Sequence, residues 1–503
     1  MISDMRSEKR IVLMLLVAAL AFTGAKAQSG STGNDDFDSF RKSMYGGFEG
    51  FRRTILADYA TFLDGVWHEY DTFRGVKRDP KPKPKAAPDV DVQKPTPKQE
   101  PVVTTPNVPE PQVQPEPTPE PQPTTPKPAP APTPAPAPAP VPVKPAVEMV
   151  NIDLFGLGMQ LPKVEVGVLS NLDGKSLSEM WKELANTKLG DEVLATIDAQ
   201  RSTYRMGDWQ TYQYAKRYAS RLTTDPNTQI LITHLLLVGL GFDSRLGVAD
   251  NSHLIILMPF THMVYARPYL MQGDNKFFIF AHESAGKVNR ISTYDMVNAD
   301  QSLRAMNLVM KQEPLLPQND KTYSFQSSKI KISGTVNRNL IALMDGYPQM
   351  PVPGFAKSDF SNSTRRDVVA QVKSQVKGMS TLDAVNTILD FVQHAFEYAT
   401  DDEQFGYEKP FFFEETLYYP YCDCEDRAVF YTYLLRNVLG MDAQLVHFPG
   451  HEAAVVALPN PIGGVAYRYN GKVYYISDPT YIGASTGMCM PDFENTAPDI
   501  EIF

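Results

Sequence analysis

The chain has 503 residues with a formal net charge of −10, 43% hydrophobic residues and three cysteines. That length supports more than one domain with a full core, and the acidic balance argues against nucleic acid or an anionic membrane as the main partner. Three cysteines are too few for a disulfide scaffold, and an odd number leaves at least one thiol free.

Residues 1–27, "MISDMRSEKRIVLMLLVAALAFTGAKA", read as a signal peptide: a short basic region, an apolar run from Ile11 to Phe22 and a small-x-small end at Ala25-Lys26-Ala27. Export to the periplasm or the extracellular space is therefore expected. The run is too short to cross a bilayer, and no later stretch is apolar enough to do so. Removing residues 1–27, with four bases and two acids, would leave a net charge of −12.

Residues 28–78 form an amphipathic helical segment. Phe37, Phe40, Met44, Phe48, Phe51, Ile55, Tyr59, Phe62 and Val66 recur at spacings of three and four. Such an aromatic face serves either to dock on another surface of the chain or to capture a partner. Residues 79–147 form a Pro-rich disordered linker, with 25 of the 42 prolines between Pro80 and Pro145. Such composition favours polyproline II, and at about 3.1 Å per residue the segment could reach roughly 200 Å. A tether to a cell-envelope partner and a plain connector are both open on this composition.

The remaining residues hold an internal repeat. "THLLLVGLGFDSRLG" (233–247) and "TYLLRNVLGMDAQLV" (432–446) align without a gap and share seven of fifteen residues. Each reads as a helix ended by glycine, Gly241 or Gly440, followed by a strand. Each continues into a second apolar run, "HLIILMP" or "HEAAVVALP", and a later one, "GDNKFFIF" or "NGKVYYIS". The expected fold class is α+β: two related lobes, each a helix packed on an antiparallel sheet. The lobes span 148–320 and 363–503. Between them, residues 321–362 should be connecting strands, "TYSFQSSKIKISGTVNRNLIALMD" alternating throughout. Residues 363–398 read as two helices, the second capped by Ser380 or Thr381.

The second copy carries the candidate chemistry. Asp423 is a good N-cap, which puts Cys424 at the first helical position, where the helix dipole and free N–H groups favour thiolate. Glu425 and Asp426 act against this. His451 stands at the mouth of the following strand and Asp478 at the end of a later one. Antiparallel pairing makes them cross-strand neighbours, so that the imidazole can serve the sulfur and the carboxylate can orient the imidazole. His447 is the rival base, better explained as a half-buried structural residue. A zinc set is poor here, because Cys422 and Cys424 lack ligand spacing and only Cys489 remains. Cys422 could instead pair with Cys489. The aromatic stretch "FFFEETLYYPY" (411–421) either lines a cleft or packs beside the Cys helix.

"DCEDRAVFYTYLLRNVLGMDAQLV", "GHEAAVVAL" and "YYISDPTY" together resemble the transglutaminase-like superfamily, on a papain-like fold. The resemblance spans some 60 residues at full strength. It implies Cys424 as nucleophile, His451 as base and Asp478 as orienting acid, with no cofactor and no metal. It also implies an exported thiol enzyme, a hydrolase or acyl transferase acting on a protein or peptide substrate. Cys422 falls outside the family pattern, and Glu452 and Ala453 stand where the family has an aromatic companion of the histidine. Tyr407 and Tyr418 are the candidate oxyanion donors. In the first copy Asp225 stands at the Cys position, with His253 and His282 near the other two, so this lobe is degenerate and lacks a nucleophile. A non-catalytic envelope scaffold that keeps the fold is the alternative.

Overall fold

The computed structural model describes residues 53–60, 63, 77–79, 148–286, 288, 290–293 and 303–503. The signal peptide, most of the 28–78 segment and the Pro-rich linker lie outside the described residues. Residues 53–60 are helical, and Ile55, Leu56, Tyr59, Ala60 and Leu63 are buried. This portion of the aromatic face docks on the first lobe. Trp181 Nε1 donates to the Leu56 carbonyl at 2.9 Å, Ser178 Oγ to Ala60 at 3.1 Å, and the Tyr59 hydroxyl lies 2.8 Å from His234 Nε2.

The first repeat begins with α1 (Pro226–Gly239), which is apolar on every side and buried almost throughout, as such a helix must be. Asp225 caps it, accepting from the Thr228 N–H at 2.7 Å. Then follow β1 (Arg245–Ala249), β2 (His253–Pro259), β3 (Pro268–Gln272), β4 (Asn275–Ala281) and β5 (Ile291–Thr293). The second repeat is entered through α2 (Thr381–Ala395) and consists of α3 (Cys424–Leu439), β6 (Ala443–Phe448), β7 (His451–Val456), β8 (Ala466–Tyr469), β9 (Lys472–Ser477) and β10 (Asp499–Glu501).

The two sheets share one topology. The first runs β3-β4-β2-β1-β5, with Lys77–Arg78 added beyond β3, and the second runs β8-β9-β7-β6-β10. Every pairing in both is antiparallel. A shared strand order, down to a late short strand returning beside the first, gives the seven sequence identities a structural counterpart. One continuous apolar core runs through both repeats, from Ile55 to Val456, so they are packed together and not strung apart.

One detail differs from expectation. Residues 320–326 and 331–337 pair as a hairpin, but Arg338–Asp345 is a helix, not a continuing strand. Asn337 caps it, and Leu340, Ile341, Leu343 and Met344 share its buried face. Of the two readings open for the aromatic stretch, Phe411, Phe412 and Phe413 follow packing, each no more than 1% exposed, whereas Tyr421 at its far end is 38% exposed. The two helices of 363–398 form at Asn362–Gln375 and Thr381–Ala395, the second capped by Ser380. Among the described residues no helix is long and apolar enough to cross a membrane.

Candidate functional site

α3 fills the space between its sheet and α2, and twelve of its sixteen residues are buried. Gly440, at φ 65°, closes it in the left-handed conformation that spares glycine a Cβ clash. The chain then turns back through β6. The Pro449-Gly450 turn and the start of β7 therefore return to the end of the unit where Cys424 stands.

His451 opens β7 and is 1% exposed. Its Nε2 lies 2.8 Å from Asp478 Oδ2. Extending the β7–β9 register, in which Ala454 faces Ser477, places Asp478 opposite Ala453 and diagonal to His451 on the same face. The second carboxylate oxygen accepts from the Thr480 N–H at 2.8 Å and from the Tyr481 N–H at 3.3 Å, which fixes the group. The imidazole is stacked on Phe493 with ring centroids 5.3 Å apart and planes 6° apart. A carboxylate can only accept, so Nε2 carries the hydrogen of the neutral ring and Nδ1 is left with its lone pair. That Nδ1 is buried and has no hydrogen-bond partner among the described residues.

Cys424 is fully buried at the first position of α3, as expected. Its sulfur is turned to its own neighbour, Glu425 Oε2, at 3.0 Å. The His451 ring is bonded to Asp478 instead. Strand alternation explains why. Ala454 and Val456 pack with the α3 side of the core, whereas Ala453, Val455, Phe448 and Cys489 form the cluster on the opposite face. His451, two residues before Ala453, belongs to that second face. The structure thus brings His451 and Asp478 together, and places Cys424 at the same end of the sheet with its sulfur on Glu425. Asp423 occupies the N-cap position, but its carboxylate caps nothing. Its N–H is held by Asp426 Oδ2 at 3.2 Å.

Gln393, on α2, links the two parts. Its side-chain Nε2 donates to the carbonyls of Asp478, Tyr481 and Ala484 at 2.8–3.1 Å, its Oε1 accepts from the Gly483 N–H at 3.1 Å, and its backbone carbonyl accepts from Arg427, one turn into α3, at 3.5 Å. Arg427 also donates to the Phe396 carbonyl at 2.8 Å. One signal for Gln393 was present in the sequence: a polar residue four after Leu389, inside the apolar stripe of α2. Tyr398 was not legible. It lies under the Arg427 guanidinium at 5.3 Å, and burial, then the charges of Cys424, Asp423 and Glu425, hold its phenol far above the usual range. The Tyr407 ring lies beside Phe405, centroids 6.0 Å apart, and Tyr418 meets Tyr419 edge to face at 5.1 Å.

All three cysteines are free. Cys422 belongs to the main core and Cys489 to the cluster on the far sheet face, which rules out the pairing considered for them. Burial pushes the Cys422 thiol up to about 11 and raises Cys489 as well. His447 pairs with Glu452 at 3.0 Å across the β6–β7 hairpin. In the first repeat, His253 opens β2 as His451 opens β7, and His282 follows β4 as Asp478 follows β9. Each is held by a neighbouring serine, at 2.9 Å. No family model, curated protein or solved structure matches this chain.

Proposed function

We propose that the second repeat is a thiol acyl-transfer unit of the transglutaminase-like kind, acting on amide or peptide bonds in an exported protein. The observation that carries the proposal is the buried His451–Asp478 pair with Nδ1 unsatisfied. An imidazole fixed by a carboxylate, with its lone pair uncommitted, is the arrangement a general base needs. The motifs around Cys424, His451 and Asp478 support the same reading.

In this reaction the start of β7 shifts so that His451, which packs against Phe493 on the far sheet face, reaches the Cys424 sulfur; the sulfur leaves Glu425 and its proton passes to His451 Nδ1. The sulfur adds to the carbonyl carbon, and the C–N bond breaks as His451 returns the proton to the leaving amine. Water, or another amine, then attacks the thioester with His451 again as base and releases the thiol. Hydrolysis is the favoured outcome, water being the abundant acceptor. An amide-directed activity probe tests the proposal: it should mark the wild type at Cys424 and fail on Cys424→Ala and His451→Ala.

A second reading, a non-catalytic envelope scaffold that keeps the fold, is favoured by one specific observation. Cys424 is 0% exposed and its sulfur is bonded to Glu425, while the imidazole is bonded to Asp478. Under that reading the probe marks nothing that depends on His451.

A further inference from the structure

Next to the Cys424 end of α3 lies a cluster of buried acids, of which the acyl-transfer reading involves only Glu425. One carboxylate oxygen from each of Asp401, Glu408 and Glu425 lies within 4.8 Å of the other two. These residues are 3%, 2% and 0% exposed. Calcium–oxygen bonds of about 2.3–2.6 Å put ligands on opposite sides of one ion about 4.6–5.2 Å apart, so a single cation can touch all three.

A second observation points the same way. Asp423 is fully buried, and among the described residues neither of its carboxylate oxygens accepts from an N–H or hydroxyl group; its side chain meets the carboxyl of Glu425. One of them lies within 4.8 Å of a Glu425 carboxylate oxygen. A buried carboxylate without a donor forfeits its hydration and receives nothing in exchange. Lys409 Nζ is committed to Glu415 and Asp345, while its backbone N–H donates to Asp401; Arg427 donates to backbone carbonyls through its terminal nitrogens, and its buried Nε has no partner among the described residues. Asp426, by contrast, is accounted for by the N–H groups of Phe411 and Asp423.

We propose that Asp401, Glu408 and Glu425, with Asp423 beside them, form a binding site for one oxygen-preferring divalent cation, of which Ca²⁺ fits best. A set of carboxylates selects a hard cation, and a site this closed disfavours Mg²⁺, which keeps several of its waters. The site joins the 401–408 loop to the first turn of α3. Because Glu425 is both a ligand and the hydrogen-bond partner of Cys424, occupancy draws the carboxylate away from the sulfur.

The test is a calorimetric titration of the chelator-treated full chain with Ca²⁺, alongside its melting temperature with and without Ca²⁺. Wild type should bind about one Ca²⁺ with a rise in melting temperature, and the Asp401→Asn/Glu408→Gln double variant should bind at least tenfold more weakly. An exposed control, Asp383→Asn, should bind as wild type does. Absence of saturable Ca²⁺ binding and of a melting shift in the wild type overturns the site, whether or not the double variant folds. Undiminished binding by a folded double variant does so too, and binding of Zn²⁺ in preference to Ca²⁺ overturns the choice of ion. The readout is binding, so the acyl-transfer reading can fail while this one stands.

Discussion

Replacing Asp478 by asparagine keeps the shape of the side chain and removes its charge. The carboxylate accepts from His451 Nε2 at 2.8 Å, between side chains 1% and 3% exposed, so solvent does not screen the bond. A hydrogen bond to a charged group is worth about 1.5–3 kcal/mol, and asparagine can still accept from the Thr480 and Tyr481 N–H groups through Oδ1. The expected loss in Asp478→Asn is therefore about 2 kcal/mol. Alanine also strands those two backbone donors, and its cost should rise to about 4 kcal/mol. The chemical consequence is separate from stability. An amide N–H facing Nε2 forces that nitrogen to accept, which moves the ring hydrogen to Nδ1 and abolishes the base. Urea unfolding measures the first effect, and the rate of Cys424 alkylation from pH 6 to 9 measures the second. A cost below about 0.5 kcal/mol for alanine, with labelling unchanged, would refute the reasoning.

Gln393→Ala should destabilise by more than about 2 kcal/mol in urea unfolding, because three carbonyls at the Asp478 loop lose a shared donor. Leu56→Ala should cost about 2–5 kcal/mol by the same assay, since Leu56 is 2% exposed in the docked helix. His234 is buried, which lowers its pKa to about 3 against about 6.5 when unfolded. Its contribution is complete above pH 6.5 and is lost as pH falls toward 3, at about 1.4 kcal/mol per pH unit. From pH 6.5 to 4.5 the wild type should therefore lose about 2.3 kcal/mol more than His234→Gln, by denaturant titration at each pH; parallel profiles would contradict this.

What the sequence displayed well was everything set by period and by strand order. The repeat at 233–247 and 432–446 was legible because a helix, a glycine and a strand impose the same pattern twice. The His451–Asp478 pair was legible because antiparallel pairing brings the start of one strand to the end of the next. Less visible was the face on which the pair sits, which depends on register: one residue's shift would turn His451 toward α3. The direction of the Cys424 sulfur is a rotamer choice, settled by the adjacent Glu425. Asp401 and Glu408 lie in the polar stretch "DDEQFGYEKP", which the sequence leaves unassigned, and it is the return of this segment to α3 that buries them. The helix at Arg338–Asp345 was missed because its apolar residues follow a strand without a break, and only the Asn337 cap marks the change.

The central claim is that His451 activates the Cys424 sulfur. Labelling by a small alkylating reagent near pH 7, resolved by mass spectrometry over the three cysteines, measures it directly. The account predicts rapid labelling at Cys424, ahead of Cys422 and Cys489, falling at least tenfold in His451→Ala. Slow labelling at Cys424, equal in the two proteins, would contradict it.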